Sequence, residues 1–109
     1  MAERKRILER GRVKYTVRFS PFAKEDKKEI KTYLSKFYPG TPQRFIDSLK
    51  EHIARLKDNP YLYPEYQENS DYCHMSVGNY IVFYKVNETE NQIDIYRILR
   101  ASWDLPKYL

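Results

Sequence analysis

A chain of 109 residues with one cysteine, 20 Lys and Arg against 15 Asp and Glu, and a net charge of +5 reads as a single small domain. It must stand on one core, burying roughly 60–70% of its unfolded surface. The lone Cys73 excludes an internal disulfide and a Cys-rich zinc site, and no apolar run is long enough to span a bilayer, so the expected setting is a reducing cytoplasm with no membrane contact.

Residues 1–14 hold much of the excess charge, with Arg4, Lys5, Arg6, Arg10, Arg12 and Lys14 against Glu3 and Glu9. These cations interrupt any apolar segment, so the stretch reads as a basic arm rather than a secretory signal. Residues 15–109 are then the folded domain, close to neutral. Tyr15-Thr16-Val17-Arg18-Phe19 alternates with period two and predicts a first strand. Ser20-Pro21 follows as an N-cap and a proline at the first helical position. Ala23, Ile30, Leu34 and Phe37, with Phe22 and Tyr33 beside them, predict the core stripe of a helix that Tyr38-Pro39-Gly40 stops. Lys24, Lys27, Lys28 and Lys31 form a ridge on the same helix that Glu25, Asp26 and Glu29 accompany, the composition of a solvated face.

Thr41-Pro42 repeats the cap-and-proline signal. Phe45, Ile46, Leu49, Ile53 and Leu56 then mark the apolar face of a second helix, ended by Asn59-Pro60. Joined by about four residues, the two helices should lie antiparallel. Tyr61–Asp71 is expected as a connection, and Tyr72–Val77 as a strand. Gly78-Asn79 suits a two-residue hairpin turn. Tyr80–Val86 is nearly all β-branched or aromatic, as in a strand buried on both faces. After the polar loop Asn87–Asn91, Ile93–Leu99 is the last strand and runs into Arg100-Ala101-Ser102-Trp103-Asp104. The order β-α-α-β-β-β defines an α+β domain: a helical hairpin on an antiparallel sheet of about four strands, the first strand joining beside a late one.

Three stretches carry a family resemblance. They are Tyr-x-Val-x-Phe-Ser-x-x-Ala-x-x-Asp at Tyr15–Asp26, Phe-x-x-x-Leu-x-x-x-Ile-x-x-Leu…Pro at Phe45–Pro60, and Val-Gly-Asn-Tyr…Phe-Tyr followed by Ile-Tyr-Arg-Ile-Leu-Arg-Ala…Asp at Val77–Asp104. Over Tyr15–Leu109 the chain resembles the RelE/ParE toxins of bacterial type II toxin–antitoxin (plasmid stabilisation) systems. That resemblance implies the same fold, no cofactor or metal, a cognate antitoxin with which the chain forms a hetero-oligomer, and a growth-inhibiting activity. Some members cleave messenger RNA in the ribosome; others poison DNA gyrase. Metal-free RNA cleavage needs a base, a cation for the developing phosphorane charge and an acid for the leaving oxygen. Where the nucleases carry basic strand residues, this chain has Cys73, His74, Met75, Ser76 and Ile81. The ending Arg97-Ile98-Leu99-Arg100-Ala101-x-x-Asp104 is more similar to the ParE side. The resemblance therefore implies a toxin that binds a target such as gyrase, with a ribosome-dependent messenger-RNA endonuclease, or a non-toxic antitoxin-binding remnant, as alternatives.

The candidate residues follow. Tyr108 stands at the position of the terminal acid, and His74 is the candidate base or phosphate ligand, against the ordinary alternative of a polar strand histidine. Arg97, Arg100, Trp103 and Lys107 are candidates for contacting the target or a phosphate. Arg97 and Arg100 could equally be salt-bridged to Asp94 or Asp104, and Trp103 could simply pack the tail onto the sheet.

Overall fold

The computed structural model describes residues 14–109, and all of the arm expected at 1–14 except Lys14 lies outside them. The sequence of elements is β1 (Thr16–Phe19), α1 (Pro21–Leu34), α2 (Thr41–Asp58), β2 (Glu65–Tyr66), β3 (Asn69–Val77), β4 (Tyr80–Asn87), β5 (Gln92–Arg100) and a 3₁₀ turn at Leu105–Tyr108. The sheet has five strands in the order β1-β5-β4-β3-β2, not four. The extra strand is the two-residue β2, set inside the expected connection and paired irregularly with β3. β1 pairs in parallel with β5, Thr16 opposite Gln92 and Phe19 opposite Ile95; β2 to β5 run antiparallel.

Ser20 caps α1, its hydroxyl accepting from the Ala23 amide at 3.0 Å. Ala23 and Ile30 are buried as the stripe requires. Two differences from the expected helix stand out. α1 stops at Leu34, where the Ser35 amide closes on Lys31, and the chain turns through Lys36 and Phe37 before reaching Pro39. Phe37 is thereby out of helical phase, 53% exposed, and packs edge-on against Tyr33 instead of the core. Phe22, in the first turn, points past the sheet edge onto Tyr96 and is 56% exposed. The second cap also differs. Gly40, at φ 91°, is the N-cap of α2, a left-handed position that glycine adopts without Cβ strain, and Thr41 is already helical.

Phe45, Leu49 and Leu56 of α2 are buried, with Ile46 and Ile53 half-buried beside them. They meet Met75, Val77, Tyr80, Val82, Tyr84, Ile93, Ile95 and Ile98 on the helix-facing side of the sheet. The β3–β4 hairpin turns at Gly78-Asn79, with Val77 opposite Tyr80 and Gly78 at φ +61°. β4 is covered on both faces where its composition demands it. Tyr80, Val82 and Tyr84 enter the core, while Phe83 is fully buried on the opposite side.

A β-bulge on β5 breaks the simple alternation. Phe83 pairs with Arg97, but the next residue, Tyr84, pairs with Ile95, leaving Tyr96 as the extra residue. Tyr96 and Arg97 both turn away from the core, and Ile98 returns to it. The bulge falls where β1 ends, so the last stretch of β5 has no strand on that side among the described residues. Helix α1 covers this edge with side-chain and backbone groups. The Ser20 amide donates to the Ile95 carbonyl at 2.9 Å, and the Ser20 hydroxyl to the Tyr96 carbonyl at 2.6 Å. The Asp26 carboxylate then accepts from the Ile98 amide at 3.0 Å. The sheet edge is closed by a helix.

Candidate functional site

The outer face of the sheet, opposite the helical hairpin, collects most of the candidate residues. Strand register sets them in a row: His74 is opposite Phe83, and Phe83 is opposite Arg97. Tyr66 from β2 lies edge-on to both His74 and Phe83, at 5.3 and 5.0 Å between ring centroids. The C-terminal tail completes the other end. Trp103 and Tyr108 pack ring against ring at 5.3 Å, and the Arg97 guanidinium lies 5.7 Å from the Tyr108 ring.

Arg97 is held at two of its three guanidinium nitrogens. Its Nε and one terminal nitrogen donate to the two Asp26 oxygens at 2.8 and 2.9 Å, a bidentate pair. Phe22 flanks the same guanidinium at 5.6 Å, opposite in sequence to the Tyr108 contact. The hydrogen bond to Asp26, ahead of its charge, raises the Arg97 pKa further, while burial works the other way. The partner is neither of the acids expected from sequence. Asp94 accepts from the Gln92 side chain, and it is Asp26, more than seventy residues earlier, that meets Arg97. Spacing did hold a signal for this. Ser20, Ala23, Asp26 and Ile30 recur along one stripe of α1, so an acid at the third position must face the sheet.

Arg100 belongs to the other side of the strand. Its guanidinium lies 4.7 Å over the Tyr33 ring and donates to the Tyr33 hydroxyl at 3.4 Å. With Glu29, Ile30, Tyr80, Ile98 and Trp103 it borders a cavity of about 170 Å³ between α1 and the end of β5. Trp103 thus bridges the two places, touching Tyr108 on one side and this cavity on the other. The structure brings Arg97, Trp103 and Tyr108 together, places Arg100 apart from them, and leaves Lys107 exposed on the tail.

His74 is half-buried, and its Nδ1 is buried with no hydrogen-bond partner among the described residues. His52 sits on α2 with Nδ1 2.7 Å from the Ser48 carbonyl, an ordinary helix contact. Cys73 faces Tyr84, and burial raises its thiol pKa, with the Glu65 charge adding to that. No cluster of three or more His, Cys, Asp or Glu able to hold a metal occurs among the described residues. No described helix is long and apolar enough to cross a membrane.

Sequence reasoning missed Tyr66 and Phe22. Tyr66 is fixed by its phenol, which donates to Glu68 at 2.5 Å; burial, with the Glu68 contact second, pushes its pKa up to about 12. Tyr72 stacks on Tyr96 at 5.2 Å, with the Lys85 ammonium 4.7 Å over the Tyr72 ring. The outer face is therefore an aromatic surface in which the central cation is already neutralised.

A short α+β domain in which a helical hairpin closes the edge of a bulged, five-stranded sheet is the architecture of the RelE/ParE toxins. Residues 17–105 match the family described as the ParE toxin of the type II toxin–antitoxin system parDE, and the chain belongs to that family. Solved structures agree on the fold. A chromosomal ParDE toxin–antitoxin system from P. aeruginosa is similar at TM-score 0.69 and 14% identity, over 81% of this chain and 97% of that one. The RelBE2 toxin–antitoxin complex of Mycobacterium tuberculosis is similar at TM-score 0.58 and 24% identity, over 81% and 99%. The isolated E. coli RelE toxin is similar at TM-score 0.56 and 12% identity, over 85% and 90%. Among curated proteins none matches by sequence.

Proposed function

We propose that this protein is the growth-arresting toxin of a cytoplasmic toxin–antitoxin pair, that a cognate antitoxin neutralises it, and that it acts by binding its target, DNA gyrase in the first instance, rather than by cutting RNA. The observation that carries this reading is the engagement of Arg97. A metal-free ribonuclease must present a free cation where the phosphorane forms, and losing one such group costs about 3 kcal/mol of transition-state stabilisation. At the centre of the outer face the guanidinium is held by both oxygens of Asp26. The neighbours across β4 and β3 are Phe83 and His74, with Ile81 opposite Leu99 on the next row. Phe83, Ile81 and Leu99 are apolar and cannot neutralise a phosphate. Family membership supports the toxin class, and the ParDE neighbour supports the preference for the ParE mode of action.

The test is induced expression in a bacterial host, followed by two measurements. The expected result is growth arrest with DNA breaks and gyrase trapped on DNA. Arrest with transcripts cut at ribosomes would instead establish the endonuclease. Expression without arrest would establish a remnant that only binds its antitoxin.

A further inference from the structure

A groove of about 600 Å³ lies at the opposite end of β4 from the Gly78 turn, between the connection leaving α2 and the ends of β3 and β4. Tyr61, Tyr63 and Val86 supply its apolar lining, and Glu65, Asp71 and Glu88 its charge. Lys85 is the only cation bordering it among the described residues, and its ammonium sits 4.7 Å over the Tyr72 ring. Glu88 accepts from the Tyr61 hydroxyl. The Glu65 and Asp71 carboxylates are exposed and form no hydrogen bond or ion pair among the described residues.

The chain itself enters beside this groove. Lys14 pairs with Asp58 at 3.1 Å, and the Tyr15 amide donates to the Lys57 carbonyl at 3.2 Å. Helix α2 ends at Asp58, and Asn59 and Pro60 lead directly from there into Tyr61. The Glu88 charge, after burial, raises the Tyr15 pKa, so this phenol and the carboxylate share one neighbourhood. Ahead of Lys14 the sequence is basic, with Arg4, Lys5, Arg6, Arg10 and Arg12 against Glu3 and Glu9. Arg10, Arg12 and Lys14 alternate, the spacing that sets side chains on one side of an extended chain.

We infer that the basic arm of this chain docks in the groove as an extended strap, with Arg10 and Arg12 at the Glu88, Glu65 and Asp71 carboxylates. Charge decides the occupant, because an acidic segment would meet three like charges there. Reach is no obstacle: two and four residues of extended chain span about 7 and about 14 Å from the anchored Lys14. The tether holds the arm at an effective concentration of about a millimolar, so individually weak ion pairs suffice. The strap bears on Glu65, and the next residue of β2 is Tyr66, which packs against His74 and Phe83. Docking therefore steadies one wall of the outer face.

The experiment uses the full-length protein and trypsin, which cuts after Arg10 and Arg12 only when the arm leaves the groove. A free peptide of residues 4–16 sets the unprotected rate. At low salt these cuts should be about tenfold slower in the protein, and at high salt they should approach the rate of the peptide. Glu65→Gln/Asp71→Asn should bring the protein within about twofold of the peptide, while Glu25→Gln/Glu51→Gln, the same charge change at exposed helix positions, should leave the protection in place. Hydrogen exchange at residues 61–66 should be slower in the parent chain than in Arg10→Glu/Arg12→Glu, whose substitutions precede the first strand and leave the domain intact. Should the groove variant fail to fold, this second comparison decides. Cleavage as fast as in the peptide at low salt, equal loss of protection in both neutralised variants, or unchanged exchange at residues 61–66 would each overturn the inference. So would protection that needs added DNA, which would assign the arm to phosphates.

Discussion

One carboxylate oxygen of Asp26 accepts hydrogen bonds from both the Arg97 side chain, at 2.8 Å, and the Ile98 amide, at 3.0 Å. A single residue of the first helix therefore satisfies the edge of the last strand and neutralises the cation next to it. Both side chains are largely withdrawn from water, at 9% and 18% exposure. Asp26→Ala leaves a guanidinium and an amide without partners, and should cost about 3 kcal/mol. Asp26→Asn keeps an oxygen for the Ile98 amide and should cost about half as much. Urea unfolding checks both, and adding Arg97→Met to Asp26→Ala should restore part of the loss. Strictly additive single effects would contradict a coupled pair.

Alkaline pH should destabilise the fold through its phenols. The Tyr66 pKa is pushed up to about 12, and burial raises that of Tyr84 further. The folded state thus favours the protonated phenol relative to an unfolded chain titrating near 10. Stability is complete below that value and falls as pH climbs through the range from about 10 to about 12. Phenolate absorbance should show a late-titrating set in the folded protein, and Tyr66→Phe should remove one member of it. Simultaneous titration of all phenols near pH 10 with the fold intact would be the contrary result.

Tyr84 also ties β4 to the end of α2. Its buried hydroxyl donates to the Pro60 carbonyl at 3.2 Å. Tyr84→Phe leaves that carbonyl unsatisfied and should cost about 1–2 kcal/mol by thermal or urea unfolding. No change in midpoint would mean that the hydroxyl contributes nothing.

Gly78→Ala tests the hairpin. Nothing stands within 4 Å of where its Cβ would be, so any cost comes from φ +61° alone. About 1–2 kcal/mol is expected for alanine, and less for asparagine, which tolerates this conformation better. Equal effects of the two substitutions would shift the explanation to packing.

If the toxin holds its target without cutting RNA, removing the candidate acid and base should matter little. Tyr108→Phe keeps the ring over Arg97, and His74→Ala removes an imidazole with no hydrogen-bond partner for Nδ1 among the described residues. Both variants should arrest growth within twofold of the parent chain, measured by colony-forming units after induction. Loss of arrest in both would favour the endonuclease.

Local signals carried most of the fold. The Ser20-Pro21 start, the Phe45–Leu56 stripe and the Gly78 turn all appear where their chemistry places them. β2 was not legible, because two residues give no periodicity and its pairing depends on where β3 runs. Phe37 was misread as core and Phe22 was placed only beside the core stripe, since helical spacing says nothing of where a helix frays or which edge its first turn overhangs. The site was legible as a set of residue types on the last strand, but not as a geometry. The bulge at Tyr96 decides which of Arg97 and Arg100 faces the outer side, and Asp26 meets Arg97 only through tertiary contact.

Thr16 hydrogen-bonds beside Gln92, and Ser20 reaches Tyr96 across 76 positions of chain. During synthesis, then, the opening strand has no neighbour in the sheet until β5 has been made, and loop closure on that scale makes the step slow. The helical hairpin can form early, but the sheet edge that holds Arg97 is complete only once β5 has been made.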